Sequence, residues 1–200
     1  MADKVHTQGK KPKGVLGCLI GILMNVTQTA GHYKTFIQVI SGPVEKLLDI
    51  GCGGGAFLNR LAKSGVIKSG FGLDHSDQMV RLAKRKNRKF IQQGLINISK
   101  GSAEKLTFKD NDFSVITAFE TIQYWPKLHH SISEIYRILE PNGHFVIINR
   151  YPDVHSPWYN KIQIKNETEY KKILKECGFT INKTDITQRH GWIMVDSIKK

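Results

Sequence analysis

Leu47 to Phe57, LLDIGCGGGAF, joins an apolar run to an amphipathic one through Gly51, Gly53, Gly54 and Gly55. Glycine takes positive φ without a Cβ clash and lets bare main chain approach a ligand. The stretch therefore predicts a strand, a tight turn and a helix whose first amides point at whatever the turn holds. Gly51, Gly53 and Ala56 also satisfy the G-x-G-x-x-G/A spacing of dinucleotide binders, and a tight turn holding no ligand accounts for the same glycines.

Outward from this loop, short apolar runs alternate with amphipathic ones from residue 44 onward, the pattern of βαβ units feeding a parallel sheet. Strands are predicted at Lys46 to Ile50, Gly70 to Leu73, Leu95 to Ser99, Asp112 to Ala118 and His144 to Asn149. The helices between them run from about Gly55 to Ser64, from Ser76 through Met79, Val80, Leu82, Ala83 and the basic run to a stop at Gly94, and from Leu128 to Leu139. The turn Pro141, Asn142, Gly143 closes the last of these, and a further helix covers Glu167 to Cys177. Phe179 to Thr187 and Trp192 to Ile198 leave no room for a crossover helix between them, so they should pair antiparallel. The expected fold is a doubly wound α/β sheet of seven strands, mostly parallel with an antiparallel C-terminal hairpin and helices on both faces. Residues 1–43 are expected to form an N-terminal helical cover and 44–200 the ligand-binding domain.

Two carboxylates give the loop a chemical direction. Asp74 ends GFGLDHS roughly twenty residues beyond the glycines, where a carboxylate accepts hydrogen bonds from both hydroxyls of a ribose. Loop and acid together point to an adenosine-containing cofactor, the competing role for a strand-end Asp being a helix cap, for which Ser76 and Asp77 also serve. Asp49 lies inside the first strand, where a dinucleotide fold carries an apolar residue. A buried carboxylate needs a positive charge or donors, and the ammonium of a methionine moiety, met directly or through water, supplies one, whereas a pyrophosphate would be repelled.

The composition sets wider bounds. Two hundred residues, 40% hydrophobic and 24% charged, suit one globular domain. A net charge of +13 raises an anionic partner such as RNA or a membrane surface, although Lys is spread along the chain and only Lys84 to Lys89, KRKNRK, is a dense run. Cys18, Cys52 and Cys177 form no CxxC pair, so neither a zinc site nor disulfide chemistry is expected, and a reducing cytoplasm fits best. The apolar run Val15 to Val26 follows basic residues as in a secretory signal, but it lacks a clean small-x-small cleavage site and is too short to span a bilayer. Val15, Leu19, Ile22, Leu23 and Val26 share one helical face, which predicts a covering helix and no integral membrane association.

With these motifs in place the chain resembles the class I S-adenosylmethionine-dependent methyltransferases, and especially the small type 11 group related to ubiquinone/menaquinone-biosynthesis methyltransferases. LLDIGCGGG resembles that family's hydrophobic-Asp-hydrophobic-Gly-x-Gly-x-Gly pattern, and Asp74 its strand-two acid. KGSAEKLTFKDNDFSVI resembles its G-D-A-x-x-L-P-F stretch with Ser102 in place of the usual Asp, and ILEPNGHFVI its turn into strand five. The terminal hairpin ending in GWIMVDSIKK corresponds to its antiparallel sixth and seventh strands. The resemblance covers about Val44 to Ile198 and implies a Rossmann-like fold with S-adenosylmethionine as cofactor and no metal. The cofactor contacts it implies are Asp49, Gly51, Cys52, Gly53, Gly55, Asp74, His75, Met79, Ser102, Ala103, Glu104, Phe119 and Glu120. Ala103 would offer its backbone amide to the adenine, Glu104 or Ser102 would meet the exocyclic amine, and AFETIQYWP, Ala118 to Pro126, would face the methionine part and the acceptor.

Transfer from a sulfonium chiefly requires an acceptor held in line and water excluded, so no dedicated catalytic residue is obligatory. For a hydroxyl or acidic carbon a general base would help; His155, Tyr33 and Tyr124 are the candidates, with His32, His129 and Tyr151 behind them. His155 lies in the aromatic stretch RYPDVHSPWYNKI, where Tyr151, Trp158 and Tyr159 would wall an acceptor pocket or simply form a surface loop. Residues 117–120 read TAFE, which lacks the Asn/Asp-Pro-Pro-Tyr motif of enzymes that methylate exocyclic base amines. A small organic acceptor comes first, RNA or protein stays open because of the charge, and a monomer or homodimer is expected. The competing functions are a nicotinamide-dinucleotide oxidoreductase and a non-catalytic nucleic-acid-binding protein on the same fold.

Overall fold

The computed structural model describes residues 29–151, 154–155, 159, 162–187 and 191–200. The helix expected over Val15 to Val26 and the wall residue Trp158 lie outside the described residues. Seven strands form one sheet in the order β3-β2-β1-β4-β5-β7-β6, with helices on both faces. Pairing is parallel for β1 with β2, β2 with β3 and β4 with β5, and antiparallel for β5 with β7 and β7 with β6. The described residues fall into two compact units, one ending at Ser102 and the other beginning at Ala103.

The first unit holds α1 (29–39), β1 (Leu47–Ile50), α2 (Ala56–Ser64), β2 (Gly70–Asp74), α3 (Asp77–Lys86), α4 (Arg88–Gln92) and β3 (Ile96–Lys100). All four β1 residues are buried, as a strand covered on both faces requires. α2 begins and ends on left-handed glycines, Gly55 and Gly65, and buries Phe57, Leu58, Leu61 and Ala62. α1 packs on α2 through an edge-to-face pair, Phe36 on Phe57 with centroids 5.4 Å apart, and through Arg60, which stacks 4.6 Å above the Tyr33 ring. Ser76 caps α3 by accepting from the Met79 amide at 3.5 Å, as its position suggested. The helix does not run on to Gly94: it breaks at Asn87, which is fully buried, and a separate short helix carries Arg88 to Gln92.

The second unit holds β4 (Phe113–Phe119), a 3₁₀ turn (Ile122–Tyr124), α5 (Leu128–Ile138), β5 (Leu139–Arg150), α6 (Glu167–Glu176), β6 (Phe179–Thr187) and β7 (Trp192–Lys199). β5 starts five residues earlier than the apolar run His144 to Asn149 implied. Leu139 is already paired with Phe113, and the Pro141 to Gly143 segment rides inside the strand as an irregularity, with Asn142 at φ 64°. Arg137 ties the loop before β4 to α5: it donates to the carbonyls of Leu106 (2.9 Å) and Phe108 (3.0 Å) and pairs with Asp110 and Glu134. Among the described residues no helix is long and apolar enough to cross a membrane.

A buried carboxylate clamps the three strands at the C-terminal end of the chain. Asp196 on β7 has no exposed surface; it accepts from Asn182 on β6 at 2.6 Å and sits 2.9 Å from His144 Nδ1 on β5. The hydrogen bond to Asp196 raises the His144 pKa above its ordinary 6.5, against the opposing pull of partial burial. The imidazolium therefore contributes stability that is fully present below pH 6.5 and is lost as pH rises through the higher folded value. His144→Ala should lower the unfolding free energy by about 1.5 kcal/mol at pH 6 and by clearly less at pH 9. Urea titrations of both proteins at the two pH values check this, and equal losses would dissociate the bond from the charge.

Candidate functional site

The glycine loop takes the form its composition requires. Gly51, Gly53 and Gly55 have φ of 76°, 52° and 71°. The amides of Gly51 and Cys52 both donate to the Leu73 carbonyl, at 2.7 and 3.0 Å, so the end of β2 holds the turn after β1. Gly55 begins α2 with no side-chain cap and no acid in the first turn, which leaves the positive end of the helix facing the loop. A Cβ on Gly55 would sit 2.6 Å from Asn87 Nδ2 and 2.9 Å from Ala83 Cβ. Close approach as well as the left-handed φ thus demands glycine there. Asn87 Nδ2 donates to the Gly55 carbonyl (3.0 Å) and to Ala83 (2.9 Å), while Asn59 Nδ2 donates to Asn87 Oδ1 (3.2 Å). Neither asparagine was singled out from sequence; the one available signal was an amide in the middle of KRKNRK.

Asp74 closes the loop from the other side. Its Oδ2 accepts from the Gly53 amide at 2.9 Å and its Oδ1 from the Ser76 amide at 2.8 Å, with His75 Nδ1 3.8 Å away. An ionised carboxylate has about four acceptor sites, so each oxygen keeps one for a further donor. Burial pushes the Asp74 pKa above its ordinary 3.8, and the Ser76 and Gly53 amides and His75 oppose that push. Asp49 is buried at 3% exposure in β1, opposite Gly72 of β2. Burial first, then the charges of Asp74 and Asp49, raise the Cys52 thiol well above its ordinary value, so Cys52 lines the turn as a neutral thiol rather than a nucleophile. Within the first unit the structure thus brings Gly51, Cys52, Gly53, Gly55, Asp74 and His75 together. Met79 is buried at the start of α3, and Ser102 is half-buried at the unit's end.

In the second unit Ala103 is buried and Glu104 half-buried, its carbonyl 3.0 Å from His130 Nε2. Phe119 ends β4 half-buried, and Glu120 follows with a left-handed backbone at φ 54°. The Glu120 amide donates to the Ile148 carbonyl at 2.8 Å and its carbonyl accepts from Gln123 Nε2 at 2.7 Å. Its side chain is 9% exposed, with Oε2 3.4 Å from Arg150 Nε. Burial raises its pKa from 4.5 to about 7 even against the Arg150 charge. Burial and, to a smaller degree, Glu120 also push the Tyr124 hydroxyl above 10.0. Arg150 in turn stacks 5.1 Å above the Trp192 ring. Arg150 was not singled out from sequence, although the parallel register that sets Phe119 beside Ile148 leaves it just beyond the end of β4.

The base candidates lie on different elements of the two units. Tyr33 lies beneath Arg60 in the first unit, Tyr124 ends the 3₁₀ turn of the second, and His155 is exposed in a turn whose flanking residues lie outside the described residues. His32 on α1 is held neutral, its pKa lowered by burial to about 4.

Residues 48–147 match the family described as a methyltransferase domain. Sterol 24-C-methyltransferase of Saccharomyces cerevisiae is 30% identical over 154 residues, covering 68% of this chain and 39% of that protein. Demethylmenaquinone methyltransferase of Symbiobacterium thermophilum is 30% identical over 132 residues, covering 62% of this chain and 52% of that protein. The chain therefore spans between two fifths and about half of these curated relatives. Among solved structures, a SAM dependent methyltransferase from Aquifex aeolicus superposes with a TM-score of 0.71 at 19% identity, covering 88% of this chain and 92% of that one.

Proposed function

Because the chain belongs to the type 11 methyltransferase-domain family, we propose that it moves the methyl group of S-adenosylmethionine to a small organic acceptor. The observation that carries this reading is the pairing of a left-handed glycine turn with a buried carboxylate, Asp74, that holds the turn by one amide and keeps acceptor sites for a diol. The residues fit the cofactor. The uncapped start of α2 suits a carboxylate, and buried Asp49 suits an ammonium.

When bound, S-adenosylmethionine supplies an electrophilic methyl group on a cationic sulfur. The chain's own part is to hold, orient and exclude water. Asp74 would grip the ribose hydroxyls, Asp49 the amino group, and the Ala103 amide with Glu104 or Ser102 the adenine edge. His75 and Met79 would flank the nucleoside, and Phe119 would pack beside the reacting end. Glu120, a carboxyl titrating near neutrality, is the group best suited to take the proton an acceptor releases. Sterol and quinone acceptors, named for the two relatives, suggest a lipophilic ring compound. Neither the dinucleotide-oxidoreductase reading nor the non-catalytic nucleic-acid reading is favoured by a particular observation.

Calorimetry should find micromolar binding of S-adenosylmethionine and of its demethylated product, and labelled methyl should pass into a lipophilic fraction of cell extract, where mass analysis identifies the acceptor. Binding of neither compound would end the proposal. Labelling confined to RNA or protein would end its acceptor half.

A further inference from the structure

We propose that the elbow formed by α3 and α4, with the cavity beside it, is a docking surface for an anionic lipid bilayer. Arg81, Lys84, Arg85, Lys86, Arg88 and Lys89 are all exposed along it, and none forms an ion pair among the described residues. Residues 78–99 contain no Asp or Glu, and the one acid on these two helices, Asp77 at the start of α3, pairs with Lys100 at 2.8 Å and with none of the six. A solvated helix face ordinarily mixes both signs; six uncompensated cations on two short helices create a field that calls for a polyanion.

What distinguishes a lipid surface from a nucleic acid is the lining between the cations. Lys84 helps line a cavity of about 290 Å³ whose walls are apolar at Phe71, Ile91, Ile96 and Ile98 and polar at Ser69 and Asn97. Lys46 adds a second cation 4.9 Å above the Phe71 ring. Recognition of single-stranded RNA rests on exposed aromatic faces for the bases, and the two phenylalanines here, Phe71 and Phe90, are both half-buried. A recess that is part apolar and part polar, with an ammonium group in its lining and further cations on the neighbouring helices, matches an amphiphile, the headgroup phosphates meeting the cations and apolar carbon the isoleucines.

The surface is also rigidly built. Asn87 breaks the helix in the middle of the basic run and anchors the elbow through its hydrogen bonds to Gly55 and Ala83, so both helices present their cations at a fixed angle. The same bond fastens the docking face to the glycine turn. A bilayer-docked protein is suitably placed to meet an acceptor too apolar to dissolve, but the inference stands on charge and cavity and does not depend on the acceptor reading.

Co-sedimentation of the full chain with vesicles tests it, using phosphatidylglycerol mixed with phosphatidylcholine against phosphatidylcholine alone. The expected result is binding only to the anionic vesicles, lost in high salt. The triple variant Arg85→Gln, Arg88→Gln, Lys89→Gln should bind roughly 30- to 100-fold more weakly, and Ile91→Asp should also weaken binding. Retained S-adenosylmethionine binding and an unchanged circular dichroism spectrum would show that the variants are folded. Equal binding to neutral vesicles, full binding by the triple variant, or indifference to Ile91→Asp would each overturn the proposal. So would a single-stranded RNA that displaces the protein from anionic vesicles and itself binds more tightly. Failure to bind S-adenosylmethionine would count against the proposed activity and leave the vesicle result intact.

Discussion

Asp74→Ala is expected to weaken S-adenosylmethionine binding by about ten- to 150-fold, from loss of charge-assisted hydrogen bonds worth roughly 1.5 to 3 kcal/mol. The structure makes the more conservative Asp74→Asn nearly as harmful. Each carboxylate oxygen already accepts a main-chain amide, Gly53 at 2.9 Å and Ser76 at 2.8 Å. An amide side chain offers one acceptor oxygen, so its NH₂ group must face one of those N–H donors. Either the turn or the start of α3 then loses its anchor. Because burial raises the Asp74 pKa, affinity in the unaltered protein should also decline as acidification protonates the carboxyl. Calorimetric titration of the three proteins measures the effect, and an Asn variant that binds as tightly as the original would remove Asp74 from the cofactor site.

The parts of this architecture that were legible in the sequence are those fixed by short-range pattern. LLDI reads as a strand because buried parallel strands are apolar on both faces, and the glycines after it announce positive φ, which Gly51, Gly53 and Gly55 adopt. The terminal hairpin followed from spacing alone, since the four residues between Thr187 and Trp192 are too few for a crossover helix. What escaped was fixed by distant partners. Arg81 to Gln92 reads locally as one solvated basic helix; the break at Asn87 exists because its side chain reaches Gly55, 32 residues earlier. The start of β5 was missed because Pro141 to Gly143 carries every mark of a turn, while Leu139 is held in the sheet by Phe113. The resemblance implies a cofactor contact for Glu120, but nothing local in the sequence marks it as an acid whose pKa is raised to about 7. Its burial, its left-handed backbone and its pairing with Arg150 all come from the tertiary fold.

That displaced titration gives Glu120→Gln two opposed effects. The carboxyl has a folded pKa of about 7 against an ordinary 4.5, so between those values the folded protein holds a proton that the unfolded chain has released. Stability therefore falls as pH rises through that window, and above it the folded state bears a cost on the order of 3 kcal/mol. Glutamine removes the charge and still offers Arg150 an oxygen, so the variant should be more stable than its parent by about 2 to 3 kcal/mol at pH 8, and indistinguishable from it at pH 4. Methyl transfer should move the other way. A general base is worth about 10²- to 10⁴-fold, so the variant's kcat should fall by at least the lower of these while its S-adenosylmethionine affinity holds. The parent's kcat should rise with pH through about 7 as Glu120 ionises, and the variant's profile should be flat there. Arg150→Gln, which removes the opposing cation, should carry the parent's profile to higher pH. A cofactor contact and a proton acceptor separate on these readouts. If Glu120→Gln weakens cofactor binding and leaves the shape of the pH profile intact, the carboxyl holds the methyl donor and the acceptor's proton leaves by another route.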